Sequence, residues 1–120
     1  MKIFIKISIL LVISILVYSC SANTSKFKKG DIIVFNAQTI VGASASKYDK
    51  LIDIAIDGDN NETMRMIYSG DARCVFRTST GEVVRTNNKY VQIKLDEDNE
   101  YWWVAPDFIQ TEPLIDNFEE

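Results

Sequence analysis

An all-β fold, a small antiparallel barrel of about five to seven short strands, is what this sequence predicts for the chain beyond residue 26. Three observations carry that expectation. From Phe27 to Ile109 no segment sustains a 3.6-residue apolar period. Short runs rich in β-branched and aromatic residues recur instead, and polar or glycine-containing clusters separate them. Of the 120 residues the first 19 read as removable, which leaves 101, enough for one small core and not for two. With 47% apolar and 25% charged residues the composition is that of a folded chain.

Strands are expected at 31–36, 51–56, 63–69, 72–78, 82–85, 89–95 and 101–105. Gly70-Asp71 reads as a two-residue hairpin, which sets Ile67 opposite Cys74 and Met66 opposite Val75. Ser79-Thr80-Gly81 reads as a three-residue loop with its glycine left-handed. Asp57 to Asn61, Asn87-Asn88 and Asp96 to Glu100 are polar turn clusters. Strands joined so tightly pair as antiparallel neighbours, giving a meander of about five strands closed by the first. The segment 37–49, rich in small residues, stays open between a long loop and a helical turn. Pro113 either opens a short helix with an apolar stripe of Leu114, Ile115 and Phe118, or begins a frayed acidic tail over 112–120.

The first 19 residues have the layout of an export signal. Met1 to Lys6 is basic, and residues 7–18 form an apolar run broken only by Ser8 and Ser14. As a helix that run spans about 18 Å, short of the roughly 30 Å hydrocarbon core of a bilayer. Val17-Tyr18-Ser19-Cys20 is similar to the lipobox of bacterial lipoproteins, in which an aliphatic residue and two mostly small ones precede the modified cysteine. Tyr18 departs from that pattern by its size. The resemblance implies that Cys20 becomes the first mature residue and bears a thioether-linked lipid and an acylated amine, with 20–26 as a flexible tether. It places the domain at a membrane of the cell envelope, and Ser21 favours the outer membrane in a cell with two. Cleavage after Ala22, with release of a secreted or periplasmic protein, and an uncleaved anchor are the alternatives.

A second resemblance covers 27–111. Phe27-Lys28-Lys29-Gly30-Asp31 before an apolar strand, Gly81-Glu82-Val83-Val84, Tyr90-Val91-Gln92-Ile93 and the run Trp102 to Ile109 resemble a small SH3-like β-barrel. That likeness implies a single helical turn at Pro106-Asp107-Phe108 and a closing strand at 109–111. Peptide-binding members use an aromatic groove, so Trp102, Trp103, Tyr90, Tyr101, Pro106 and Phe108 become the ligand-binding candidates. The Ala-Leu-Tyr-Asp-Tyr element of eukaryotic SH3 domains is absent, which argues against proline-rich ligands. Alternation puts Trp102 and Trp103 on opposite faces of their strand, one in the core and one exposed. Filling and rimming a small core is the competing role for all these aromatics.

The remaining composition argues against catalysis, and no cofactor is expected. The chain has no His, which removes the commonest general base and metal ligand. Cys74, in a predicted strand with Ala72 and Phe76 on its face, reads as a buried thiol without a base to activate it. Asp57, Asp59 and Asn61 begin a calcium-loop spacing, but Glu62 and Tyr68 stand where Gly and Glu are required. Asp96, Asp98 and Glu100 fail likewise at Tyr101. Removing Lys2 and Lys6 with the signal leaves 11 basic against 17 acidic residues, a formal −6 that argues against nucleic acid. Nine acids and no Lys or Arg lie from Asp96 onward, whereas Lys26, Lys28 and Lys29 stand beside the tether. The functional expectation is a non-enzymatic lipoprotein that binds an envelope protein or a cell-wall peptide. A phage- or prophage-encoded exclusion lipoprotein, or a purely structural one, is the alternative.

Overall fold

The computed structural model describes residues 24–114. The expected export signal, Cys20 and residues 115–120 lie outside them. Seven strands form one antiparallel sheet: β1 Ile32–Phe35, β2 Thr39–Gly42, β3 Ala72–Val75, β4 Thr80–Thr86, β5 Val91–Leu95, β6 Tyr101–Val104 and β7 Ile109–Gln110. Their spatial order is β3-β2-β6-β5-β4-β1-β7. The expected meander of about five strands shrinks to three, β4-β5-β6, because two of the expected strands are helices, and β1 flanks it by pairing with both β4 and β7. Pro106–Phe108 forms the single 3₁₀ turn expected before the closing strand.

Two helices interrupt this all-β plan where strands at 51–56 and 63–69 were expected. α1 spans Ala45–Asp57 and α2 spans Asn60–Ser69, both inserted between β2 and β3. Caps decide the matter. Ser44 accepts the Lys47 N–H at 3.1 Å and Asp59 accepts that of Glu62 at 3.1 Å, each filling an orphan donor of a first turn. Gly58 and Gly70 end the helices with φ of 72° and 87°. The Gly70 N–H donates to the Ile67 carbonyl and the Asp71 N–H to that of Met66, a helix-ending motif that needs a left-handed residue. Gly70-Asp71 is therefore a helix stop and no hairpin. Cys74 stands opposite Ile40, and Met66 and Ile67 belong to α2.

The loop expected at Ser79-Thr80-Gly81 also moves. Thr78 carries the positive φ, and Gly81 lies within β4, where a Cβ would meet the Lys94 carbonyl at 2.7 Å. β3 and β4 are not neighbours in the sheet. The open segment 37–49 contains β2 and the start of α1. Within the expected tether 20–26, Thr24–Lys26 forms a 3₁₀ turn and Thr24 is buried. The turns at Asn87 and Asp96 to Glu100 stand as expected; the Asn87 carboxamide accepts the N–H groups of Lys89 and Tyr90 at 2.7 and 2.6 Å.

The barrel interior is lined by alternate residues of its strands. Ile33, Phe35, Val41, Val83, Val91, Ile93, Leu95, Trp102 and Val104 point inward and are almost wholly removed from water. α1 and α2 cover the outer face of β2, β3 and part of β6, burying Tyr48, Leu51, Ile54, Met66 and Ala72. Gly42 makes that second layer possible. A Cβ there would lie 2.8–2.9 Å from the backbone N and Cα of Tyr48 and from its Cβ, so only glycine lets the first turn of α1 rest on β2.

Candidate functional site

β6 divides its aromatic residues between two environments. Trp102 and Val104 face the core, and Trp102 is 7% exposed. Tyr101 and Trp103 face outward, Tyr101 51% exposed and Trp103 half-buried. The register places Trp103 between Gly42 of β2 and Gln92 of β5, and Tyr101 beside Lys94. The Oε1 atom of Gln92 and the Nε1 atom of Trp102 are buried with no hydrogen-bond partner among the described residues.

Three of the six candidate ligand residues are therefore internal. Trp102 and Pro106 are buried, the latter opening the 3₁₀ turn that re-aims the chain into β7. Tyr90 is buried too, its ring meeting that of Tyr48 edge to face at 4.7 Å. Its hydroxyl donates to the Asp49 carboxylate, so Tyr90 fastens α1 to the start of β5. Phe108 is half-buried, and its carbonyl accepts the Asn36 N–H at 3.0 Å. Tyr101 and Trp103 share the outer face of the sheet, but Tyr101 is open to water whereas Trp103, opposite Gly42 where α1 rests, packs half-buried against the core.

The acidic turn after β5 has a structural occupation. The Arg73 guanidinium bonds Asp98, Glu97 at 3.1 Å and Glu100 at 3.2 Å, tying β3 to the β5–β6 turn. The hydrogen bond from Arg73 holds the Asp98 carboxyl below its ordinary value. Partial burial opposes the charge of Arg73, but the Asp98 hydrogen bond and the three nearby carboxylates outweigh it and raise its pKa. Asp59, whose spacing fails the calcium-loop template, caps α2. Among the described residues no three His, Cys, Asp or Glu form a metal-binding group.

Cys74 is half-buried and not enclosed as expected, because β3 is an edge strand and Phe76 lies beyond its end, 64% exposed. The Gln38 carboxamide donates to its Sγ at 3.4 Å. A carboxamide is no general base, so this contact does not activate the thiol. A shallow, open groove of about 470 Å³ runs between the N-terminal turn and β7, lined by Lys26, Asn36, Asp107, Gln110 and Glu112 among others.

The structure also exposes apolar residues that were not singled out. Ile32 opens β1, Ile56 lies on α1, and Met64 and Tyr68 share a face of α2, with Tyr68 82% exposed. Residues 31–35 carry four consecutive apolar side chains, and alternation alone does not say which of Ile32 and Ile33 turns outward. Among the described residues no helix is long and apolar enough to cross a membrane. No protein-family model matches the chain, and no curated protein and no solved structure shows significant similarity to it.

Proposed function

We propose that this chain is a non-enzymatic, lipid-anchored protein of the cell envelope whose barrel binds an envelope protein or a cell-wall peptide through the outer face of β6. The observation that carries the binding reading is the pair Tyr101 and Trp103. Tyr101 is 51% exposed beside Lys94 on the outer face of the sheet, and Trp103 lies half-buried farther along that face, where α1 rests on Gly42. Aromatic and basic side chains on a rigid strand suit an extended or acidic partner segment, because their contact area costs little conformational entropy. The anchoring reading rests on the Val17-Tyr18-Ser19-Cys20 segment. Several acyl chains at Cys20 would make membrane attachment stable where one chain is marginal.

Replacement of each tryptophan separates binding from folding. Trp103→Ala is expected to lower the melting temperature less than Trp102→Ala, since Trp103 is only half-buried against the core, and to abolish retention of envelope partners or peptidoglycan peptides. Trp102→Ala is expected to cost about 3–5 kcal/mol of stability by opening a core cavity. Retention unchanged by Trp103→Ala, or unfolding by both replacements, overturns the binding face. For the anchor, the intact mass of protein extracted in detergent should match residues 20–120 plus diacylglycerol and acyl chains; a bare mass beginning at Asn23 rejects lipidation.

A further inference from the structure

The loop that leads the chain into the barrel presents three lysines on a rigid support. Lys26 ends the N-terminal 3₁₀ turn, Lys28 and Lys29 precede β1, and all three are exposed. The turn they occupy is held by its own bonds. The Asp31 N–H donates to the Lys28 carbonyl at 3.0 Å, and the Lys28 N–H donates to the Asp31 carboxylate at 2.9 Å. Two more bonds fix it to β4: Gly30 N–H to the Val83 carbonyl and Val83 N–H to the Asp31 carbonyl, both 2.9 Å. Ile32 follows at once, 61% exposed on the outer face and absent from the core. Its cross-strand neighbour Glu82 has Lys94 on its other side, so the nearest acid of the sheet has a basic neighbour of its own.

We propose that Lys26, Lys28, Lys29 and Ile32 form a contact surface for an anionic lipid bilayer, which sets the orientation of the barrel on the membrane. The inference rests on the anchoring proposed above for its geometry. Thr24 is already buried in the fold, so three residues, or four Cα-to-Cα steps, separate Cys20 from the domain, a reach of at most about 14 Å. Such a tether keeps this end within one to two screening lengths of the headgroups. Basic side chains with one aliphatic residue match that surface: the lysines meet lipid phosphates, and Ile32 reaches the apolar boundary beneath them. The acidic turn with Glu97, Asp98 and Glu100, held by Arg73, lies elsewhere, at the β5–β6 connection. The overall excess of acid would repel the rest of the surface from the same lipids. Three lysines beside an anionic leaflet favour the lipid-facing orientation by about two orders of magnitude.

The test places the purified full chain with nanodiscs of phosphatidylcholine alone or mixed with phosphatidylglycerol and measures the acetylation rate of each lysine by mass spectrometry. Lys26, Lys28 and Lys29 are expected to react about tenfold or more slowly with the anionic discs, and Lys50 and Lys89 at equal rates with both. High salt should remove the protection, and Ile32→Ser should reduce it. Equal rates for the three lysines in both compositions overturn the proposal, including equal protection in both, which would reflect the nearness of the tether alone. The same spectra report whether Cys20 bears acyl chains. Unlipidated protein with lysines protected by anionic discs would reject the anchor and keep the contact surface.

Discussion

The strands of the barrel and the segment inserted between β1 and β4 keep water out in different ways. In the barrel, Ile33, Phe35, Val83, Val91, Ile93, Leu95 and Val104 are sealed inside by neighbouring strands that share a continuous ladder. The inserted segment carries β2, α1, α2 and β3; its Val41 and Val75 join the sealed interior, and outside them lies a thinner second layer of Tyr48, Leu51, Ile54 and Met66. Polar ties supplement that layer: Tyr90 to Asp49, Lys47 to Asp71 at 3.2 Å, and Arg73 to the β5–β6 turn. It also leaves Ile56, Met64, Tyr68 and Phe76 in water. The barrel should therefore hold the global stability, whereas the insertion should open locally and answer to pH and salt.

The comparison is broken most strongly in the barrel. Phe35→Ala removes a fully buried ring and is expected to cost about 3–5 kcal/mol, lowering the denaturant midpoint for the whole domain in one cooperative step. Loss confined to the insertion would show that the two regions are energetically reversed. Gly42→Ala probes the seam between them, since its Cβ must displace the backbone of Tyr48. The expected cost is about 1–3 kcal/mol, with faster amide exchange in α1 and α2 and little change in β4 to β6. Uniform exchange throughout would mean that the helices do not move independently.

The smallest effect comes from Arg73→Gln, which should lower the melting temperature by a few degrees and loosen β3 first. This substitution also sharpens the pH dependence. Because the Asp98 carboxyl sits below its ordinary 3.8 in the folded chain, its contribution is whole above the unfolded value and fades as pH falls through the folded one. Acid titration of the wild type should thus show a loss of stability below about pH 4 that is blunted in Arg73→Gln. Identical acid profiles for the two proteins would remove Arg73 as the tie.

Residues 51–56 show why local pattern misled. Ile52, Ile54 and Ile56 alternate with Asp53 and Ala55, a strand period made of β-branched residues. The same stretch also belongs to a helical pattern, with Tyr48, Leu51 and Ala55 at three- and four-residue spacing. Only Ile54 of the three isoleucines is fully buried. The caps were written in the sequence: Ser44, Asp59 with Glu62 three residues later, and Gly58 and Gly70 at the ends. Glycine followed by aspartate serves a hairpin and a helix stop equally well, and local chemistry does not choose between them.

What the sequence by itself determined is the barrel. Gly81 to Leu95 and Tyr101 to Ile109 specify their strands, polar turns and single 3₁₀ turn through short-range alternation and turn chemistry, and neighbouring strands on short loops have few other ways to pair. That Trp102 and Trp103 face opposite ways follows from the period of two; which one is inside does not. Only the tertiary structure decided that Trp102 is core, Tyr101 open and Trp103 half-buried, because α1 rests on the outer sheet at Gly42, next to Trp103, and Tyr101 lies farther along the strand. It likewise moved Tyr90 from the candidate surface into the seam against Tyr48, and spent the acidic turn on Arg73. Burial is a property of what packs on a residue from far along the chain, and a period in sequence carries no information about that distant partner.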